Sequence, residues 1–128
     1  MTVHPQKVRV LESYLAGSWR QGKSEGKPLL DAATGAPVAA IDASGLDLAE
    51  ALAWGRDTGG KALRKMTYHE RALMLKTLAQ ALTEQKEIFY QESFATGATR
   101  KDSWIDIEGG IGTMFAYSSK ARREMPNT

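Results

Sequence analysis

The chain has 128 residues, of which 42% are hydrophobic and 25% are charged, and this composition suits one small globular domain. The net charge is +2, because seventeen basic residues are scattered among fifteen acidic ones, so nothing in the charge balance favours nucleic acid or an anionic membrane as a partner. Cysteine is absent, which excludes disulfides, thiolate metal sites and a cysteine nucleophile within these residues. No apolar run approaches the length of a membrane span, and the start lacks the apolar core of a signal peptide, so a cytoplasmic protein is expected.

The first third of the chain is predicted to contain short strands. Residues 1–13 read as a lead-in and residues 14–42 as strands with a hairpin. Within the hairpin, Leu29–Asp31 and Val38–Ile41 form the strands. Thr34-Gly35 lies at the turn, where glycine adopts a positive φ without steric cost.

The rest of the chain, residues 46–124, is predicted to be helical. Asp47 suits the N-cap of a first helix, with Glu50 in its first turn. Gly59 and Gly60 are expected to end this helix, because glycine weakens helical backbone.

A second helix is predicted to begin at Thr67, which forms a capping box with Glu70. Gly97 is placed to stop the helical stretch as the residue after its C-cap. The apolar stripe of this helix comprises Ala72, Leu75, Leu78, Ala79 and Leu82.

A third helix is predicted from about residue 103 to 124, with Asp102 as its N-cap. Apolar or small residues repeat at helical spacing, namely Trp104, Ile107, Ile111, Met114 or Phe115, and Ser118. Three glycines, Gly109, Gly110 and Gly112, fall inside this helix, where each costs about 1 kcal/mol relative to alanine. We therefore expect another backbone to approach that face closely.

The same glycines do not form a dinucleotide-binding fingerprint. A G-x-G-x-x-G pattern that begins at Gly110 meets Phe115 at its third glycine position, and no strand-like run precedes it. Asp102 and Asp106 share a helix face and suit a paired-carboxylate site, but solvated helix caps explain them more simply.

The remaining polar candidates also favour structural roles. His69 lies in the predicted capping box, and the serines have no histidine and acid partner at a spacing that indicates a triad. The basic cluster of Lys61, Arg64 and Lys65 is open to a phosphate contact, although a solvated surface is the simpler interpretation. The tryptophans at positions 19, 54 and 104 are interpreted as core or interface anchors. No catalytic, cofactor-binding or metal-binding residue is predicted within the chain.

The order of these motifs resembles the start of the aldehyde dehydrogenase superfamily. The resemblance covers nearly the whole chain from about Tyr14, and its block "TGATRKDSWIDIEGGIGTMF" is typical of the subgroup that acts in phenylacetate and benzoyl-CoA degradation. The matching positions are Tyr14, Gly17 and Trp19, the hairpin from Asp31 to Gly35, Glu70-Arg71 with Leu75, Leu78 and Ala79 behind it, and Thr96-Gly97. Ala98 stands where most of the superfamily has lysine, which favours the subgroup over the general family.

The resemblance implies an NAD(P)-dependent oxidation of a CoA-linked semialdehyde, with NADP as the expected cofactor of the complete protein. It also implies that the cysteine, asparagine and glutamate of the mechanism lie beyond Thr128, so the chain alone is expected to be inactive and to bind no cofactor. The expected fold is mostly α with a short N-terminal β-hairpin, as part of an α/β, Rossmann-like cofactor-binding domain. Its apolar faces are expected to contact the rest of that domain or a second copy of the chain. A free-standing helical module that binds another protein is the alternative.

Overall fold

The computed structural model describes residues 8–127, and the first seven residues of the predicted lead-in lie outside that range. The chain divides into two compact units, Met1–Arg56 and Asp57–Thr128, which are described separately. Among residues 8–127, no helix is both long enough and apolar enough to cross a membrane.

Five short strands make up most of the first unit. β5 is the centre of a three-stranded sheet in the order β1-β5-β4, parallel to β1 and antiparallel to β4, and β2 and β3 form a separate antiparallel pair. The strands are β1 (Val10–Leu11), β2 (Ser13–Leu15), β3 (Ser18–Arg20), β4 (Lys27–Leu30) and β5 (Pro37–Ile41). The segment predicted as a lead-in, residues 1–13, therefore contains a strand at Val10–Leu11. Its partner lies thirty residues along the chain, so no local pattern reveals it.

The predicted hairpin is confirmed, with strand ends shifted by one or two residues. One carboxylate oxygen of Asp31 accepts hydrogen bonds from the backbone N–H groups of Ala33 and Thr34, at 2.9 and 2.8 Å. Gly35 follows with a φ of +72°, a value that glycine reaches without steric strain. The side chain of Asp31 therefore holds the turn, and glycine completes it.

The first helical segment begins where the sequence predicted but does not end there. α1 (Leu48–Trp54) is capped by Asp47, whose carboxylate accepts from the N–H of Glu50 at 2.8 Å. A π-helical turn, Gly55–Gly59, then leads into α2 (Gly60–Arg64). The break predicted at Gly59 and Gly60 is therefore wrong. Gly59 has helical angles, φ −63° and ψ −50°, because glycine lowers helix propensity without forbidding helical backbone.

The second unit contains α3 (Tyr68–Glu84), α4 (Lys86–Phe94) and α5 (Arg100–Glu124). α3 packs on α5, with Ala72 and Ala79 buried on α3 and Ile111 and Ser118 buried on α5. The short side chains of Ala72 and Ser118 permit a close approach, and the buried Ser118 hydroxyl donates a hydrogen bond to the carbonyl oxygen of Ala72.

α4 packs on α5 through a different pair of positions. Tyr90 and Ser103 are fully buried, and the hydroxyl of Ser103 donates to that of Ser93 at 2.9 Å. The helical stretch predicted to run from Thr67 to Thr96 is interrupted at Gln85, whose φ of −104° and ψ of 7° leave the helical region. The stop comes one residue earlier than predicted: α4 ends at Phe94 with Ala95 as its C-cap, and Gly97 follows two residues later with a φ of +83°.

The start of α5 differs from the prediction by one turn. The N-cap is Thr99, and Asp102 is the third helical residue rather than the cap. The hydroxyl oxygen of Thr99 accepts a hydrogen bond from the N–H of Asp102 at 3.2 Å, and the Asp102 carboxylate accepts one from the N–H of Thr99 at 3.1 Å. This reciprocal pair satisfies two backbone donors at once, which a cap at Asp102 would not achieve.

Candidate functional site

A polar cluster between α4 and α5 is the most fully connected group of titratable side chains in the second unit. The Tyr90 hydroxyl donates to Oε1 of Glu108 at 2.8 Å, and Nζ of Lys86 donates to the same oxygen at 3.1 Å. The hydrogen bond from Tyr90 lowers the pKa of Glu108, and burial raises the pKa of Tyr90. Glu108 is therefore a weak base and Tyr90 a weak acid, so the cluster suits the joining of two helices better than proton transfer.

Asp102 and Asp106, which the sequence analysis considered as a paired-carboxylate site, do not form such a site. Both hydrogen bonds of the Asp102 carboxylate come from Thr99, and the one from the Thr99 hydroxyl lowers the pKa of Asp102. Asp106 is exposed and takes no part in this cap. Among the described residues, no group of three or more His, Cys, Asp or Glu side chains is placed to hold a metal ion. Asp102 therefore has a structural role in the capping box of α5, but as its third helical residue and not as the predicted N-cap.

The basic cluster near the glycine pair is a solvated surface in this structure. Lys61 pairs with Asp57, one helical turn earlier, at 3.4 Å, and both side chains are mostly exposed. Arg64 and Lys65 are exposed at the end of α2. An exposed pair of this kind contributes at most about 1 kcal/mol.

His69 lies in the first turn of α3, as predicted. Its Nε2 is 3.2 Å from the carbonyl oxygen of Met125. A carbonyl only accepts, so this nitrogen carries the proton and donates, and the contact ties the start of α3 to the residue after α5. The predicted capping box beside it is confirmed: Thr67 accepts from the N–H of Glu70 at 3.2 Å, and Glu70 accepts from the N–H of Thr67 at 2.7 Å.

Sequence reasoning missed an anchor in the first unit. The Asp42 carboxylate accepts from the N–H of Ser24 at 2.7 Å and from the N–H and hydroxyl of Ser44 at 3.0 and 2.7 Å. The hydrogen bonds from Ser44 hold the pKa of Asp42 far below its ordinary value. The Asp-Ala-Ser stretch is typical of an Asx turn, and that signal was available in the sequence.

Large apolar side chains are exposed in both units of the part of the chain that the structure describes. On α3 the side chain of Leu78 is 49% exposed although it belongs to the predicted apolar stripe, and the side chain of Met74 is equally exposed. The other large exposed apolar residues of the second unit include Leu73, Ile88, Phe94, Trp104, Ile105 and Tyr117, and those of the first unit include Tyr14, Trp19, Leu30, Val38, Leu48 and Leu52. The tryptophans predicted as possible core anchors are exposed, at 67% for Trp19, 41% for Trp54 and 55% for Trp104, so a core role is wrong for them.

The glycines of α5 belong to this uncovered surface. An added Cβ at Gly109, Gly110 or Gly112 would meet nothing within 4 Å. The predicted close approach of another backbone is therefore not supplied by any part of the chain that the structure describes.

Comparison with known proteins gives the chain its family. The sequence profile of the aldehyde dehydrogenase family matches residues 19–128. The chain is also similar to a 3,4-dehydroadipyl-CoA semialdehyde dehydrogenase of Aromatoleum evansii, with 36% identity over 109 residues, 84% of this chain and 21% of that protein. The chain thus spans about a fifth of the length of the curated relative that it matches. Since the family profile covers both structural units and most of the sequence, the chain belongs to the aldehyde dehydrogenase family.

Proposed function

We propose that this chain is the N-terminal scaffold segment of an NAD(P)-dependent dehydrogenase that oxidises a CoA-linked semialdehyde to the acid during degradation of aromatic compounds. In that reaction the aldehyde and water yield the carboxylic acid, while NAD(P) accepts a hydride and a proton is released. The chemistry of the substrate comes from the name of the Aromatoleum evansii relative. The resemblance to the phenylacetate subgroup implies NADP as the cofactor, and we propose a cytoplasmic location.

The observation that carries the scaffold role is the exposed surface. Among residues 8–127, this chain exposes twenty large hydrophobic side chains, including Trp19 at 67% and Tyr117 at 65%. Its described core is correspondingly small, with five buried hydrophobic residues: Ala40, Ala72, Ala79, Tyr90 and Ile111. A chain of this kind needs further protein surface to cover its helices.

The described residues do not fit a nicotinamide dinucleotide by themselves. A dinucleotide site needs a glycine-rich turn between a strand and a helix, so that backbone N–H groups reach the diphosphate. Here Gly109, Gly110 and Gly112 lie inside α5, where their N–H groups belong to the helix. We propose that the rest of the dehydrogenase holds both the cofactor and the reacting groups. The Rossmann-like sheet is part of the same proposal.

A chimera tests the scaffold role. The 109 matched residues of the Aromatoleum evansii enzyme are replaced by the corresponding residues of this chain, and NAD(P) reduction with its semialdehyde is measured. We expect the chimera to be soluble and active, and the 128-residue chain alone to give no turnover. Turnover by the purified chain alone would contradict the proposal.

A surface variant sharpens that test. Leu78→Glu introduces a charge on the uncovered side of α3, where the leucine is 49% exposed in the isolated chain. We expect this variant to change the stability of the isolated chain by no more than about 0.5 kcal/mol, but to reduce the yield or activity of the chimera at least about tenfold, because burial of an unpaired charge is costly. Gln80→Glu, two residues along the same helix, is the matched control. Equal activity of the two chimeras would show that this face is not covered.

The alternative role, a separate protein-interaction module, uses the same apolar faces. The family match favours the scaffold, because the profile of a dehydrogenase family covers these helices. We further propose that the isolated chain forms homo-oligomers through these faces. A clean monomer at micromolar concentration in light scattering would contradict that part.

A further inference from the structure

Arg71 on α3 carries a charge for which the described part of the chain supplies no acceptor. Its Nε is buried and has no hydrogen-bond partner, and it is the one such side-chain atom found among residues 8–127. The ion pairs found in the same range use other cations, namely Arg20, Lys61, Lys86, Arg100 and Lys120. Buried donors without acceptors are rare and costly in folded proteins, so this nitrogen requires an explanation.

The neighbours of Arg71 on α3 do not provide the acceptor. Glu70 precedes it in the chain, but the Glu70 carboxylate accepts from the backbone N–H of Thr67 at 2.7 Å in the capping box. One helical turn before and after Arg71 stand Thr67, Tyr68, Met74 and Leu75. None of these four is acidic, so no carboxylate is available to Arg71 at helical spacing.

The position of Arg71 does not benefit the helix that carries it. Arg71 is the fourth residue of α3, near the N-terminal end, where the helix dipole disfavours a cation. The guanidinium is nevertheless held in place, because its Cζ lies 4.6 Å from the centre of the Tyr68 ring. The N–H groups of a guanidinium lie in its own plane, so stacking on a ring leaves a preorganised fork at its edge.

The surface next to Arg71 is apolar and uncovered. Met74 and Leu78 follow it at helical spacing on the same side of α3, and both are half exposed. Tyr68 is exposed to a similar extent. We call these four residues, Tyr68, Arg71, Met74 and Leu78, the α3 face. A desolvated arginine beside apolar side chains is a common anchor of protein interfaces, and it selects a partner that brings an acidic group.

We propose that the α3 face is a docking surface for the remainder of the dehydrogenase, and that an aspartate or glutamate of that remainder pairs with Arg71 through Nε and one terminal nitrogen. This inference rests on the proposed function, because the chain spans 21% of the relative that it matches and the partner belongs to the rest of such a protein. A carboxylate along this edge of the guanidinium gives Nε its acceptor and uses both carboxylate oxygens at once. Removal of either charge from the covered pair leaves the other without compensation.

The first measurement uses the 128-residue chain, in which the partner is absent. Arg71→Met removes the buried donor and keeps an unbranched side chain that packs on the Tyr68 ring. We expect the urea midpoint to stay the same or to rise, because no stabilising pair is lost. A fall of the midpoint by more than about 1 M would show that Arg71 already has a partner within the chain, and it would overturn the proposal.

The second measurement uses the chimera with the Aromatoleum evansii enzyme, in which the partner surface is present. We expect Arg71→Met to shorten the half-life of the folded chimera at elevated temperature at least about tenfold, because the carboxylate is left covered without its counter-charge. Tryptophan fluorescence follows the unfolding. The docking contact thus predicts a replacement that is harmless in the chain and damaging in the chimera, and an unchanged half-life would overturn it.

Arg64→Met is the matched control. Arg64 is exposed at the end of α2 in the same structural unit, so the replacement removes the same charge without touching the α3 face. We expect less than a twofold change in the half-life of the chimera. A loss as large as that of Arg71→Met would show a general effect of net charge and overturn the proposal.

Two further replacements identify the acceptor. Arg71→Lys keeps the charge, whereas Arg71→Gln keeps only a neutral N–H donor. With a carboxylate as partner, the lysine variant of the chimera should have the longer half-life. The reverse order would indicate a backbone carbonyl and overturn the assignment of an acidic partner.

Fluorescence reports folding and not turnover, so this inference and the proposed function fail separately. A folded chimera that gives no NAD(P) reduction but is destabilised by Arg71→Met would refute the proposed function alone. An active chimera whose half-life is insensitive to Arg71→Met would refute the docking contact alone.

Discussion

The hydrogen bond between α5 and α3 at Ser118 offers a direct measure of what holds the second unit together. The Ser118 hydroxyl donates to the carbonyl oxygen of Ala72 at 2.7 Å, and the serine is 2% exposed. The partners are 46 residues apart in sequence, so the bond exists only when the two helices are packed. Replacement by alanine removes the bond without adding volume.

The expected magnitude comes from two opposing effects. Loss of an intramolecular hydrogen bond costs about 1 kcal/mol. Alanine is a better helix former than serine, and this difference raises the free energy of unfolding by about 0.5 kcal/mol. The carbonyl of Ala72 lies within α3 and keeps its helical partner, so no acceptor is left without a donor. Ser118→Ala should therefore destabilise the unit by about 0.5 kcal/mol.

The neighbouring serine provides the matched control. Ser119 is exposed on the same helix, so Ser119→Ala gains the helix propensity and loses no buried bond. The two variants should differ by about 1 kcal/mol in free energy of unfolding. With a denaturant slope of about 1 kcal/mol per M, urea unfolding followed by circular dichroism should give midpoints about 1 M apart. Identical midpoints would refute the assignment of Ser118 as the anchor between α3 and α5.

Two further predictions concern the ends of α3 and the contact of α4 with α5. Thr67→Ala removes the capping box of α3 and should lower its stability by about 1 kcal/mol, while Thr67→Ser should retain most of it; equal melting temperatures for the two variants would contradict the cap. The pKa of Glu108 is lowered in the folded state, so its contribution to stability is present above the pKa of an unfolded glutamate and is lost as the pH falls through the folded value. Glu108→Gln should therefore flatten the acid limb of the stability curve below about pH 4.5, and an unchanged limb would show that Tyr90 and Lys86 do not stabilise the carboxylate.

Local chemistry in the sequence was enough to predict several element boundaries. Asp47 and Thr67 act where they were expected, because a cap depends on a few adjacent residues. The hairpin around Gly35 was predictable for the same reason. The order of the motifs also indicated the family, and the profile match over residues 19–128 confirms it.

Local chemistry was misleading where two signals competed. Asp102 and Thr99 are both good N-cap residues, and only the reciprocal bonding of the pair decides that Thr99 is the cap. Gly59 and Gly60 reduce helix propensity, yet the backbone stays helical through them. A propensity of about 1 kcal/mol is a weak constraint that the rest of the segment overrides.

The sequence by itself determined which residues are apolar and at what spacing they recur; the tertiary structure alone decided which of them are covered. Ala72 and Leu78 belong to the same predicted stripe, but Ala72 is buried against α5 and Leu78 is half exposed. Periodicity fixes the direction of a side chain around its helix and carries no information on whether a partner stands there. The groove that Lys76 of α3 and Arg122 and Arg123 of α5 line together has the same origin, because residues distant in sequence meet only after two helices pack.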